Sequence, residues 1–205
     1  MKDSGRLRIS GRQALRVGLV VLFLSWVAAP VFAQQASLEV DPAKTTVAYT
    51  LHDVLHTVHG TFRLKRGSIG FDPAGGAASG SIAVDAASGE SGNHGRDSRM
   101  HREILESQKY PEIAFVPEEV QGTLAASGDS HVDVRGMFRL HGEEHEITVP
   151  AQVHINGDEL LSEMKFDIQY VKWGVKNPST FVLRVSDTVQ IEIHAVGHVM
   201  WPGAN

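Results

Sequence analysis

The chain has 205 residues, with 19 Lys or Arg, 24 Asp or Glu and a formal net charge of −5 at pH 7. The absence of cysteine excludes disulfides, thiol catalysis and thiolate metal sites. Residues 34–205 alone carry a net charge of −9, and this acidic balance argues against nucleic acid and anionic lipid surfaces as partners.

The first 33 residues have the pattern of a secretory signal peptide. Five basic residues precede the apolar run 17–29, and Val31 and Ala33 occupy the −3 and −1 positions of a cleavage site. The run is shorter than the ~20 apolar residues that a transmembrane anchor needs. We therefore expect cleavage after Ala33, a periplasmic or extracellular location and a single domain over residues 34–205.

The remaining chain alternates between apolar and polar residues. A period of two with one apolar face is typical of half-buried antiparallel strands. Asn156-Gly157 is a favoured hairpin turn. The pattern predicts an all-β barrel or sandwich of about nine strands joined by short turns. The predicted runs are 46–51, 61–64, 68–71, 81–85, 112–116, 131–140, 146–155, 163–170 and 188–194.

One segment, residues 96–107, departs from the strand pattern. Met100, Ile104 and Leu105 follow helical spacing, and Asp97 or Ser98 is the predicted N-cap. Tyr-Pro at 110–111 ends the segment. It is predicted as one short helix that bridges two strands and covers an end of the barrel.

The stretch YTLHDVLHTVHGTF, residues 49–62, holds His52, His56 and His59. On a helix this spacing would place all three on one face, as in many metal sites. The flanking alternation instead predicts a strand, a turn and a second strand. Partly buried histidines bonded to backbone or solvent are one interpretation, and a metal site of the three is an alternative. We favour one or two of them lying at a ligand cavity.

Motifs of common enzyme classes are missing from the sequence. It has no GxSxG, no HExxH and no phosphate-binding or dinucleotide-binding loop. We expect a binding protein rather than an enzyme, with no catalytic residue and no required cofactor or metal.

Several motifs in order resemble the YceI-like family, over about residues 37–197. They are the first strand with its histidine and GTF at 60–62, then Arg96-Asp97, the amphipathic segment 100–105, Tyr-Pro at 110–111, the strand 113–115, and the strands 136–142 and 147–149. LHDVLHTVHG, residues 51–60, is richer in histidine than the family pattern. His52 is the best match to the single histidine of the family.

The resemblance implies an extended antiparallel lipocalin-like β-barrel of about eight strands. It also implies an apolar cavity for a polyisoprenoid, an isoprenoid quinone or a similar amphiphilic lipid, for transport, storage or stress response. Aromatic residues would line this cavity, with ordinary core packing as the alternative. They are Tyr49, Phe62, Phe71, Phe115, Phe138, Phe166 and Tyr170.

A polar lipid head would sit near four polar side chains, His52, Arg96, Asp97 and His101. Arg96 suits a phosphate or carbonyl group because a guanidinium donates a fork of hydrogen bonds. Alternatively, Arg96 and Asp97 only fix the loop to the start of the helix.

The expected partner is a small-molecule lipid, and no nucleic acid. A homodimer and a transient contact with a membrane or with membrane redox proteins stay open. Two other functions also stay open. One is a secreted histidine-based metal-binding protein or metalloenzyme with zinc or copper, and the other is a module that binds another protein through a sheet edge.

Overall fold

The structure is a computed structural model that describes residues 35–181 and 183–203. The predicted signal peptide lies outside these residues. Within them, no helix is long and apolar enough to span a bilayer. The strands are β1 (Ala36–Val40), β2 (Thr46–His52), β3 (Thr57–Phe71), β4 (Gly76–Glu90), β5 (Glu112–Gln121), β6 (Gly128–Leu140), β7 (Glu143–Asn156), β8 (Glu159–Ile168) and β9 (Val189–Met200).

The sheet closes on itself. From β2 to β9 each strand pairs antiparallel with the next in the chain, and β2 pairs with β9. The short strand β1 also lies between β3 and β9, end to end with β2. Nine strands therefore fill eight positions, which confirms the predicted all-β, lipocalin-like barrel.

The segment between β1 and β2 is hydrogen-bonded to the neighbouring strand β9. Asp41 N–H donates to the Val196 carbonyl at 2.8 Å, and Val196 N–H donates to Thr45 Oγ1 at 3.2 Å. Both ends of the break thus bond to one residue of β9. The wall keeps its hydrogen bonding across the interruption, as buried backbone requires.

Most strands extend beyond the predicted runs. The predicted runs 61–64 and 68–71 form one strand, β3, whose pairing with β4 shifts register at two places. The hairpin prediction is confirmed, since Asn156 pairs with Glu159 and Gly157 has φ +67°. That backbone conformation suits glycine.

The predicted short helix is confirmed, but it begins two residues earlier than predicted and its N-cap is neither Asp97 nor Ser98. Helix α1 spans His94–Arg99, and a π-helical turn continues over Met100–Ile104. The cap is Asn93, whose side chain accepts from Arg96 N–H at 3.0 Å. An N-cap oxygen satisfies a free N–H of the first turn. Asp97 cannot fill this role because it lies inside the helix, where its own N–H donates to the Asn93 carbonyl at 2.9 Å.

Candidate ligand cavity

The barrel encloses two chambers. The outer chamber measures about 780 Å³ and has walls from α1, the π-helical turn and the loop between β8 and β9. The inner chamber measures about 170 Å³ and lies against the packed end that contains Phe71 and Ile155. Five residues line both chambers, so the chambers follow one another along the barrel. These shared residues are Val47, Val84, Ile113, Phe138 and Ile193.

Strand alternation makes both chambers apolar. On β2, Val47, Tyr49 and Leu51 face the outer chamber, and the residues between them face outward. The inner chamber is apolar apart from the hydroxyls of Thr45 and Ser162. Such a lining favours a hydrocarbon chain and has few polar groups that could distinguish one chain from another.

Each of the seven predicted aromatic residues lines at least one chamber. Tyr49, Phe62 and Tyr170 line the outer chamber and Phe138 lines both. Phe71, Phe115 and Phe166 line the inner chamber. They therefore border open space as well as packing against neighbours.

Two glycines make room for the rings of the outer chamber. A Cβ on Gly60 would lie 2.4 Å from the Tyr49 ring and 2.4 Å from the Glu90 carbonyl. A Cβ on Gly89 would lie 2.4 Å from the Phe62 ring. The rings of Tyr49 and Phe62 lie 5.4 Å apart, in the range of favourable aromatic pairs. The aromatic wall thus depends on side chains missing from the neighbouring strands.

The two phenols of the outer chamber stay neutral. Burial raises the pKa of Tyr49, and its hydroxyl lies 3.7 Å from Met100 Sδ. Burial, and secondarily the charge of Asp187, raise the pKa of Tyr170 to about 12. The Tyr170 hydroxyl donates to the Ser186 carbonyl at 2.6 Å. They offer polar atoms to a ligand without bringing a charge into the cavity.

Arg96 and Asp97 both hold Ser91, in the loop before the helix. The Arg96 guanidinium donates to Ser91 Oγ at 2.7 Å and to the Ser91 carbonyl at 2.9 Å. Asp97 accepts from the Ser91 hydroxyl and, at 3.0 Å, from its N–H. Burial would raise the pKa of Asp97, but the Ser91 bonds outweigh it and the pKa is lowered. The pair fixes the loop to the helix, and Arg96 also reaches the outer chamber.

Three predicted head-group residues, His52, Asp97 and His101, do not line either chamber. His52 is exposed because it alternates with the inward-facing Leu51, and its Nδ1 lies 3.0 Å from Thr57 Oγ1. His101 Nε2 donates to the Gly89 carbonyl at 2.8 Å, which fastens the π-helical turn to β4. Their contact with a lipid head therefore stays a prediction, made for side chains that lie outside the lining of both chambers.

Each of the three histidines of the metal alternative lies beside a polar side chain outside that set. His52 and His59 each bond to a threonine of the neighbouring strand, and His56 Nδ1 lies 3.7 Å from Asp53 Oδ1. Across residues 35–181 and 183–203, no group of three or more His, Asp or Glu could hold a metal ion. Of the three, only His56 lines the outer chamber.

Several lining residues were not among the predicted site residues. Met100, Ile104 and Leu105 were predicted to be helical, and their apolar spacing already indicated which face would cover the cavity. Val175, Leu183 and Val185 lie in the irregular loop between β8 and β9, where no periodicity marks them. At the rim, Asp53, Thr57 and Arg99 add polar atoms that no motif indicated.

Comparisons with known proteins agree with this architecture. The family model of the YceI-like domain matches residues 38–197. BcnA of Burkholderia cenocepacia is 24% identical with a TM-score of 0.63, over 77% of this chain and 98% of that chain. A polyisoprenoid binding domain from Saccharophagus degradans, implicated in plant cell wall breakdown, is 18% identical with a TM-score of 0.64, over 80% and 98%. At these identities the solved structures establish a shared fold, and no curated protein sequence matches the chain.

Proposed function

The chain belongs to the family of YceI-like domains, and we propose that it is an exported, non-enzymatic carrier of one isoprenoid lipid or isoprenoid quinone. The observation that carries this proposal is the pair of apolar chambers inside a closed barrel. A similar fold in a polyisoprenoid binding domain supports it. Export rests on the signal-peptide pattern of residues 1–33.

The hydrocarbon chain enters through the outer chamber and reaches past the shared residues into the inner one. Each CH₂ removed from water contributes about 0.8 kcal/mol. Methyl-branched chains suit walls built from Val, Ile, Leu and Phe, because dispersion contacts follow surface shape closely. The single file of chambers accommodates one chain rather than two.

The polar head stays at the rim. Arg96 and Arg99 line the outer chamber and carry guanidinium groups that bind carbonyl or phosphate oxygens. Thr57 and His56, across the rim, add further hydrogen-bonding atoms. A charged or polar head therefore stays hydrated while the chain is buried.

A cavity-filling variant tests the proposal. Ile193→Trp narrows the passage that both chambers share, so we expect binding of a long-chain isoprenoid quinone to delipidated protein to weaken roughly tenfold or more. Leu161→Trp is the matched control, because Leu161 lies on the same sheet with its side chain 44% exposed on the outside. Thermal unfolding shows whether both proteins are folded. If folded wild type and folded Ile193→Trp bind the quinone with equal affinity, the cavity is excluded as the binding site.

A further inference from the structure

Large apolar side chains stand in solvent at the mouth of the outer chamber. Val54 and Leu55, in the turn between β2 and β3, are 65% and 69% exposed, and Phe181, in the loop between β8 and β9, is fully exposed. Elsewhere in the described residues, the exposed large apolar side chains are Leu161 and Met200, both on strands. Apolar side chains grouped in solvent indicate an interaction surface.

The first apolar tip is held in one conformation. The Asp53 carboxylate accepts from the N–H groups of Leu55 at 2.7 Å and His56 at 2.6 Å, and Asp53 N–H donates to the His56 carbonyl at 2.9 Å. These bonds close a tight Asx turn. Val54 and Leu55 are thereby presented outward without a loss of backbone entropy on binding.

The second tip is tied to the first. Val54 N–H donates to the Arg184 carbonyl at 3.1 Å, and Asp53 forms an antiparallel bridge with Val185. The second tip is Phe181, which lies three residues before Arg184 in the same loop. Within this loop Thr180 N–H donates to the Leu183 carbonyl at 2.8 Å.

Both tips border the cavity. Asp53, Leu183 and Val185 line the outer chamber, so the two tips form one rim around its mouth. We call Val54, Leu55 and Phe181 the mouth patch. An apolar surface at this position continues the apolar wall of the cavity outward.

The loop that carries Phe181 differs in charge from the rest of the protein. Residues 169–188 contain Lys172, Lys176 and Arg184 against a single acidic residue, Asp187, whereas residues 34–205 have a net charge of −9. Lys176 also lies 3.8 Å from Glu103 Oε2, outside this loop. A few cations beside apolar tips complement the phosphates of lipid head groups. The rest of the protein is acidic and would be repelled by an anionic membrane surface. The mouth rather than the outer walls of the barrel would therefore face the membrane.

We propose that the mouth patch docks the protein onto the surface of a lipid bilayer, with the outer chamber opening towards the bilayer. The apolar tips enter the interface while Lys172, Lys176 and Arg184 lie at the level of the phosphates. That a carried lipid passes between bilayer and cavity at this contact rests on the proposed function; the docking itself does not. A small apolar patch gives a reversible contact.

Vesicle flotation tests the docking. The probe is vesicles of phosphatidylcholine and phosphatidylglycerol in equal parts, mixed with the folded protein. We expect wild type to float with the vesicles, and the double variant Leu55→Ser with Phe181→Ser to lose partitioning by a factor on the order of 100. Leu161→Ser removes an exposed leucine far from the mouth and should float as wild type does.

The outcomes separate docking from lipid carriage. Docking is overturned if wild type stays with the soluble fraction, or if the double variant floats as wild type does. Docking is also overturned if wild type does not float but forms a dimer and the double variant is a monomer. That result would assign the mouth patch to contact with a second copy of the chain. Wild type that floats but takes up no quinone would instead remove the carrier function and leave the docking intact.

Discussion

At the scale of single residues, the cavity depends as much on small side chains as on large ones. Gly60 and Gly89 leave the space that the Tyr49 and Phe62 rings occupy. The aromatic residues could be selected from strand alternation, because an inward position follows from a period of two. The glycine that faces each ring could not be predicted, because strand register and contacts between residues distant in sequence decide which glycine that is.

For the polar residues too, the sequence indicated the residue type but not the contact. Arg96 and Asp97 stand out in the sequence as an adjacent charged pair, yet their shared partner is Ser91. His52 stands out by its family position, yet alternation already turns it outward beside Leu51. Chemical type alone thus indicated charged residues near the site, and geometry decided which of them reaches the cavity.

On the outer wall, Glu112 makes a pH-dependent contribution to folding. Hydrogen bonds from Arg66, at 2.8 and 2.9 Å, and from Lys65, at 2.7 Å, lower its pKa from 4.5 to about 2. A carboxyl whose pKa is lower in the folded state stabilises the fold above its unfolded pKa and loses that contribution as the pH falls through the folded pKa.

We therefore expect Glu112→Gln to lower the free energy of unfolding at neutral pH, with the difference from wild type shrinking between about pH 4.5 and pH 2. Urea denaturation of both proteins at several pH values measures this difference. Glu118→Gln serves as a comparison, since Glu118 is one of three carboxylates that share Arg135. A difference that stays constant down to pH 2 would contradict the role given to Glu112.

At the scale of elements, α1 and the π-helical turn close one side of the cavity. The turn is wider than an α-helix, with Leu105 N–H donating to the Met100 carbonyl five residues earlier at 2.8 Å. Such turns occur mostly inside helices and often at functional sites. Met100, Ile104 and Leu105 all reach the outer chamber. The existence of this element could be predicted, but its bounds could not, because the cap is set by Asn93 and the end by packing.

Ile104 is the buried residue of the π-helical turn and packs near Leu140, Ile168 and Tyr170. We expect Ile104→Ala to lower the free energy of unfolding by about 2–5 kcal/mol, because it leaves a void under the cover. It should also speed the release of a bound quinone, measured by transfer to an excess of acceptor vesicles. Arg102→Ala, an exposed change in the same turn, should leave both unchanged. Equal release rates in the two variants would show that the cover does not retain the lipid.

At the scale of the whole molecule, a regular alternation of short strands predicted a barrel or a sandwich, and the resemblance to the YceI-like family selected the barrel. Every long strand carries its apolar face inward, so an open sheet would leave that face in water. Strand β1 was missed although Ala36, Leu38 and Val40 alternate with polar residues in the same period of two. The division of the interior into two chambers was also beyond the sequence, because the volume left empty depends on how all eight walls pack together.

The central claim is that these chambers hold an isoprenoid lipid. The most direct test is mass spectrometry of the protein purified from its native cell envelope, before and after organic extraction, with metal analysis of the same sample. The account predicts an isoprenoid or isoprenoid quinone in stoichiometric amount that extraction removes. A stoichiometric metal ion with no extractable lipid would contradict it and would return the function to the histidines of residues 49–62.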